Sequence, residues 1–355
     1  MTSIFAFVIV LGVLVFFHEF GHFIVARLCG VGVEIFSLGF GPRLAGKTVG
    51  RTDYRISGIP LGGFVKMVGE EPDAELPPED VPVAFNHKPV FQRILIVAAG
   101  PAFNMLLAVL IFFVIFQISG MARLQPVVGE VKEGTPAERA GLQPKDEILA
   151  INGETIASWE EMSEFIRESG GQTLGFTVAR NGSQFHLQIA PERTTAPDLF
   201  GEETERYLVG ITSAGEIFTQ RLNPARALWE SVVQTWRITE LTVVSVAKLI
   251  AGSLSAKTLG GPIMIAQMAG EQAQAGATNL VFFIALLSVN LAILNILPIP
   301  VLDGGHLLFF TIEAVRGKPV STRIREMAQQ AGVFILLMLM IFVFYNDISR
   351  LFSAS

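Results

Sequence analysis

The chain has 355 residues, of which 51% are hydrophobic and only 16% charged, with a mean hydropathy of +0.51. Ordinary soluble domains carry roughly 25% charged residues, so this composition is that of a membrane protein. The formal charge of −6 is concentrated: residues 122–223 carry 9 basic and 16 acidic side chains, against 17 and 16 in the remainder. An acidic insert and the lack of any Lys/Arg run exclude a nucleic-acid partner. The single cysteine, Cys29, excludes an internal disulfide and a Cys-based zinc site.

Four stretches are long and apolar enough to cross roughly 30 Å of hydrocarbon at about 1.5 Å per residue, namely 4–28, 94–118, 280–297 and 331–345. The first has no basic region before it and no small-residue cleavage site after it, so it is expected to stay in the mature protein. Arg43, Lys47, Arg51, Arg55, Lys66 and Lys88 lie between the first two spans, and Arg316, Lys318, Arg323 and Arg325 between the last two. By the positive-inside rule both segments are expected in the cytoplasm, which puts the termini and the acidic insert on the other side.

Inside the first span stands HEFGH, with His18, Glu19 and His22. On a helix, positions i and i+4 share a face, so both imidazoles can reach one metal while Glu19 holds a water beside it. Chance supplies HExxH on the order of once in a few hundred chains of this His and Glu content. A packing pair of histidines is the structural alternative, and it is disfavoured because ionisable residues within a span are costly.

Between the first two spans, residues 33–67 alternate and are Gly-rich (IFSLGFG, YRISGIPLGGFVKM), as in β-hairpins. They are too polar to span, and are either a β structure beside the motif helix or an ordinary loop. Within the insert, residues 126–191 read as a compact β-rich module with a helix over 159–168 and two strands, 173–179 and 184–190, joined at Asn181-Gly182. Residues 224–251 repeat apolar residues at helical spacing, including Trp229 and Trp236, interrupted by Arg226, Glu230, Arg237, Glu240 and Lys248. This pattern suits a helix in the membrane interface, or one packed on the insert or on the bundle.

A catalytic zinc site wants three protein ligands and an open position. The candidate third ligand is Asp303 of NILPIPVLDGGH, at the end of a span that runs in the same direction as the first; it could also be a turn residue, and His306 is a weaker competitor. Asn290 and Asn295 of the third span either hold substrate backbone or join helices.

HEFGH, GFGPRL at 39–44, IPLGGFVKM at 59–67, AAGPAFN at 98–104, LDGG at 302–305 and the insert together resemble the site-2 protease family, in its bacterial regulator-of-sigma-E form. The insert phrase GTPAERAGLQPKDEILAINGE resembles a circularly permuted PDZ domain, present once here where well-known members carry two. The resemblance implies a polytopic α-helical membrane protein with four transmembrane helices, a re-entrant β region and one β-rich PDZ-like domain. The domains would be 1–121, 122–223, 224–278 (interfacial helix and loop) and 279–355. It implies Zn2+ on His18, His22 and Asp303, with Glu19 as general base and Asn295 contacting substrate. Expected partners are single-span membrane proteins, such as pre-cleaved anti-sigma factors or remnant signal peptides, together with membrane lipid, in the bacterial inner membrane. A membrane-bound peptide receptor with an inert metal site and a metalloenzyme for small substrates are the competing classes.

Overall fold

The computed structural model describes residues 2–71, 76–197 and 202–353. In chain order its elements begin with helix α1 (Thr2–Leu28), strands β1 (Val33–Val49) and β2 (Thr52–Met67), and helix α2 (Val90–Ile118). The insert follows, with β3 (Met121–Leu124), β4 (Val128–Val131), α3 (Pro136–Arg139), β5 (Glu147–Ile151), β6 (Glu154–Thr155), α4 (Trp159–Glu168), β7 (Leu174–Arg180), β8 (Ser183–Ile189), β9 (Glu192–Pro197), β10 (Glu203–Leu208), β11 (Ile211–Ser213) and β12 (Ile217–Gln220). The chain closes with α5 (Pro224–Ala251), α6 (Pro262–Ala275), α7 (Ala277–Ile296), α8 (Asp303–Arg316) and α9 (Thr322–Ser353). Two compact units result, Phe116–Pro224 and the rest of the chain.

Among the described residues, four helices are long and apolar enough to cross a membrane: α1, α2, α7 and α9. Uninterrupted apolar sequence makes them helical, because only a helix pairs every backbone group within its own segment where water is absent. One buried cluster, with Ala6, Val10 and Leu14 of α1, Leu107 of α2, Ala269 of α6 and Phe283 of α7, ties α1, α2 and α7 together with α6. A second, around Val33, Phe36, Val65, Met67, Ile96 and Phe310, seats the base of the β1–β2 hairpin on α2 and α8.

That hairpin folds back on itself. Residues 33–38 of β1 pair on one side with 63–67 of β2 and on the other with 53–56, while the second half of β1 pairs with 52–57. Four antiparallel rows result from two strands, leaving 63–67 as a free edge. Away from its base the hairpin exposes Phe40, Leu44, Val49, Ile56 and Ile59, an apolar surface suited to lipid.

The insert unit is a four-stranded antiparallel sheet of order β6-β5-β7-β8, flanked by the pairs β4–β11, β3–β12 and β9–β10. Its core gathers Val128, Ile148, Ile151, Met162, Phe176 and Val178. Asn181 and Gly182 both have positive φ (51° and 81°), the backbone of a two-residue hairpin turn that Asn-Gly favours. Fully buried Asp146 receives both the Nε and an Nη of Arg180 at 2.6 Å.

Helix α4 and strands β7 and β8 fall within a residue of their expected positions. The hairpin β9–β10, along with β11 and β12, extends the β structure beyond residue 191, where the sequence signals stop. The segment expected to be a loop before residue 279 contains α6, which packs along α1 and places Ala269 in the bundle core. Helix α5 turns Ser231 and Thr235 inward, and Thr242 Oγ1 donates to Asn290 Oδ1 at 2.7 Å. Its opposite face leaves Trp229 and Trp236 66% and 67% exposed. It thus packs on the bundle and also offers an aromatic outer face, so the two readings of this helix are compatible.

Candidate active site

Helical periodicity brings His18 and His22 onto one face of α1, with their rings 4.9 Å apart and nearly perpendicular. Asp303, the first residue of α8, meets them from the far end of the sequence. His18 Nε2 lies 3.3 Å from His22 Nε2 and 3.1 Å from Asp303 Oδ2, and His22 Nε2 lies 3.5 Å from Asp303 Oδ1. Among the described residues this is the one group of three or more His, Cys, Asp or Glu side chains arranged to hold a metal, with donor atoms within 4.8 Å of one another.

The donor set fits zinc. Tetrahedral Zn2+ with ligand bonds of about 2.0–2.1 Å separates its donors by about 3.3 Å, the spacing found here. Asp303 Oδ2 is buried and receives no properly directed hydrogen bond, so a positive charge at the centre of the triangle would satisfy it. His22 Nδ1 donates to the carbonyl oxygen of Ile96 at 2.9 Å, which leaves its Nε2 lone pair facing the triangle.

Two glycines create the room. A Cβ on Gly21 would run into the backbone of Ala99, and one on Gly100 would sit 2.6 Å from His22 Cε1 and 2.8 Å from His18 Cε1. Glycine at both positions lets α2 approach the imidazoles within van der Waals contact. Glu19 completes the site. His22, His18 and Asp303 are its neighbours, and the backbone of Val65 on the free edge of β2 faces it. Gly63, on the same edge, leaves just enough space for Glu19 Cγ, which a Cβ would approach to 3.0 Å.

The structure therefore brings together His18, Glu19, His22 and Asp303. Asn295 also reaches them, its Nδ2 lying 3.5 Å from Nδ1 and 3.4 Å from Nε2 of His18. Near-equal distances to both ring nitrogens, which flank Cε1, show that the amide is not directed at either lone pair. Asn290 instead joins α7 to α5, the helix-joining alternative. His306 lies one turn further along α8 and is not among the clustered ligands.

Residues 6–339 match peptidase family M50. The chain belongs to this family, the site-2 proteases. A protein of Agrobacterium fabrum named as a zinc metalloprotease is 38% identical over 97% of this chain and 95% of its own length. One of Rickettsia conorii is 37% identical over 99% and 100%. Protease RseP of Yersinia pestis is 32% identical over 99% of each chain, across 453 aligned positions against 355 residues here. Family membership makes the protein a zinc metalloendopeptidase, and its four candidate spans make it a membrane protein.

Sequence reasoning gave no role to Asn104, whose side chain faces His18, or to Gly100. AAGPAFN was visible as a motif, but its function depends on how closely α2 approaches α1.

Proposed function

We propose that this metalloendopeptidase cuts peptide bonds in or beside the transmembrane segment of single-span membrane proteins, with zinc on His18, His22 and Asp303. The observation that carries this reading is the convergence of these three donors beside Glu19, on helices that are themselves membrane spans. When bound, zinc supplies a Lewis acid for the scissile carbonyl and a water acidified toward neutrality. Glu19 takes the proton from the water and returns it to the leaving amine. The Val65 backbone, facing the Glu19 carboxylate, helps orient it toward the metal triangle, and Asn295 fixes substrate backbone beside His18.

Peptide bonds within a helix are already paired and shielded, so a substrate must be drawn into extended form before attack. The free 63–67 edge of the hairpin, adjacent to Glu19, supports that role, because an unpaired row of backbone groups can add a strand. Basic residues between the first and second spans and between the third and fourth favour an orientation with the zinc site toward the cytoplasm, and the bacterial relatives favour the inner membrane. By the same rule the insert, read as a PDZ-like domain, lies outside the cytoplasm. There it would filter substrates, admitting those whose outer portion has been removed, such as trimmed anti-sigma factors or remnant signal peptides. Membrane lipid is the other expected partner.

The test is reconstitution in liposomes with a single-span substrate. Wild type should cleave within or next to the span, and a chelator should abolish cleavage that added zinc restores. Glu19→Gln should retain zinc and substrate yet lose cleavage by roughly 10²- to 10⁴-fold, the usual contribution of a general base. Cleavage confined to soluble peptides, or an active Glu19→Gln enzyme, would overturn the reading.

A further inference from the structure

Asn104 lies on α2 with its side chain fully buried, and its amide nitrogen is 3.3 Å from His18 Nδ1. Its own side-chain oxygen is buried without a hydrogen-bond partner. The residue is also pinned from behind, because Ser288 Oγ of α7 donates to its backbone carbonyl at 2.7 Å. A buried amide held this firmly, with an orphaned oxygen one half-turn from an imidazole nitrogen, has an unfilled bonding partner.

The chemistry of His18 supplies that partner. If the Asn104 amide nitrogen, 3.3 Å away, donates to Nδ1, the ring hydrogen sits on Nε2, where Asp303 Oδ2 at 3.1 Å and His22 Nε2 at 3.3 Å face it. For Nε2 to ligate a metal its lone pair must be free, and the ring hydrogen must then sit on Nδ1. Nδ1–H needs an acceptor, and a nitrogen donor facing it would be repulsive. A half-turn of the amide exchanges two groups of nearly equal size and brings the orphaned oxygen to Nδ1.

We propose that Asn104 is a positioning residue that sets the tautomer of His18, donating to Nδ1 when the metal is absent and accepting from Nδ1–H when it is bound. An amide can do both, which neither a carboxylate nor a hydrocarbon side chain can. His22 needs no such switch, since the carbonyl of Ile96 fixes its hydrogen on Nδ1 in both states. Gly100, one helical turn before Asn104, keeps the same face of α2 clear of both rings.

The proposal rests on His18 being a zinc ligand, which His18→Ala tests separately: loss of zinc there supports the ligand assignment, whereas unchanged zinc removes it whatever Asn104 does. For Asn104 the decisive measurement is the ¹⁵N spectrum of histidine-labelled full-length protein, with and without zinc. Wild type should show the His18 hydrogen on Nε2 without metal and on Nδ1, hydrogen-bonded, with zinc. Asn104→Leu should weaken zinc binding by about 10- to 100-fold, the usual effect of losing a partner to a ligand histidine, and lose the hydrogen-bond signature at Nδ1. Asn104→Asp, an acceptor of the same shape, should restore both zinc binding and the Nδ1–H signal. Should Asn104→Leu fail to fold, the wild-type and Asn104→Asp spectra still decide. A wild-type His18 hydrogen that stays on one nitrogen in both states, or a folded Asn104→Leu protein with wild-type affinity, would overturn the proposal.

Discussion

Arg93 grips the carboxylate of Glu313 with both terminal nitrogens, at 3.2 and 2.6 Å, although 220 residues separate them. The pair joins the start of α2 to the last part of α8, with only 11% and 12% of the two side chains exposed. The guanidinium also lies 4.9 Å from the centre of the Phe310 ring, and Arg325 of α9 approaches the same carboxylate at 3.6 Å. Because Asp303 begins α8, this clamp fixes the helix that delivers it. Glu313→Gln should cost about 3–5 kcal/mol, since it leaves Arg93 buried without its counter-charge. Replacing both residues by methionine should recover much of the loss. Unfolding of detergent-solubilised protein by SDS titration measures both.

Gly100→Ala should abolish zinc binding, because the added methyl occupies space that the imidazoles of His18 and His22 need. Gly12→Ala, in the same membrane bundle but with nothing within 4 Å of the new Cβ, should bind zinc as wild type does. Zinc content of the two purified proteins, side by side, separates a site effect from a general intolerance of alanine.

Asp347 is almost fully buried near the end of α9 and accepts the backbone N–H groups of Gly261, Ile263 and Met264 at 2.9, 3.0 and 3.1 Å. It thereby caps the start of α6 from a different helix, satisfying donors that a helix cannot pair internally. Asp347→Ala should destabilise the protein by about 1–3 kcal/mol, the cost of leaving buried donors unpaired. Hydrogen exchange should accelerate at Ile263 and Met264 while remaining slow at Ala269.

If the insert filters substrates, replacing residues 126–191 by a flexible linker should leave cleavage of a trimmed substrate largely intact and permit cleavage of the full-length one. Gel assays on both substrates check this. Failure on the trimmed substrate by a zinc-loaded deletion protein would show that the insert is needed for productive binding. Continued rejection of the full-length substrate would move the filter into the membrane bundle.

The parts of the fold legible in the sequence depend on local pattern. The spans show themselves by length and hydropathy, and His18 and His22 by the repeat that puts i and i+4 on one face. Asp303 could be nominated because ligand chemistry and topology both lead to the end of the third span. Helix α6 was not legible: PIMIAQMAGEQAQA contains Gly and Gln and lacks a strong apolar stripe, and its start is completed by Asp347 from α9. Asn104 failed for a related reason. Its importance comes from a close approach of α2 to α1 that Gly21 and Gly100 permit, and such long-range contact leaves no periodic signature.

The proposed ligands His18 and Asp303 lie at opposite ends of the chain, and this has a consequence for biosynthesis. A ribosome that has made and inserted only α1, α2 and the insert has produced both histidines and Glu19 but not the carboxylate of α8. Such a nascent chain offers zinc two protein donors where a catalytic site uses three. Competence to hydrolyse peptide bonds would then arrive only after α7 has entered the bilayer and α8 has docked, so that truncated products of stalled synthesis are harmless to neighbouring membrane proteins.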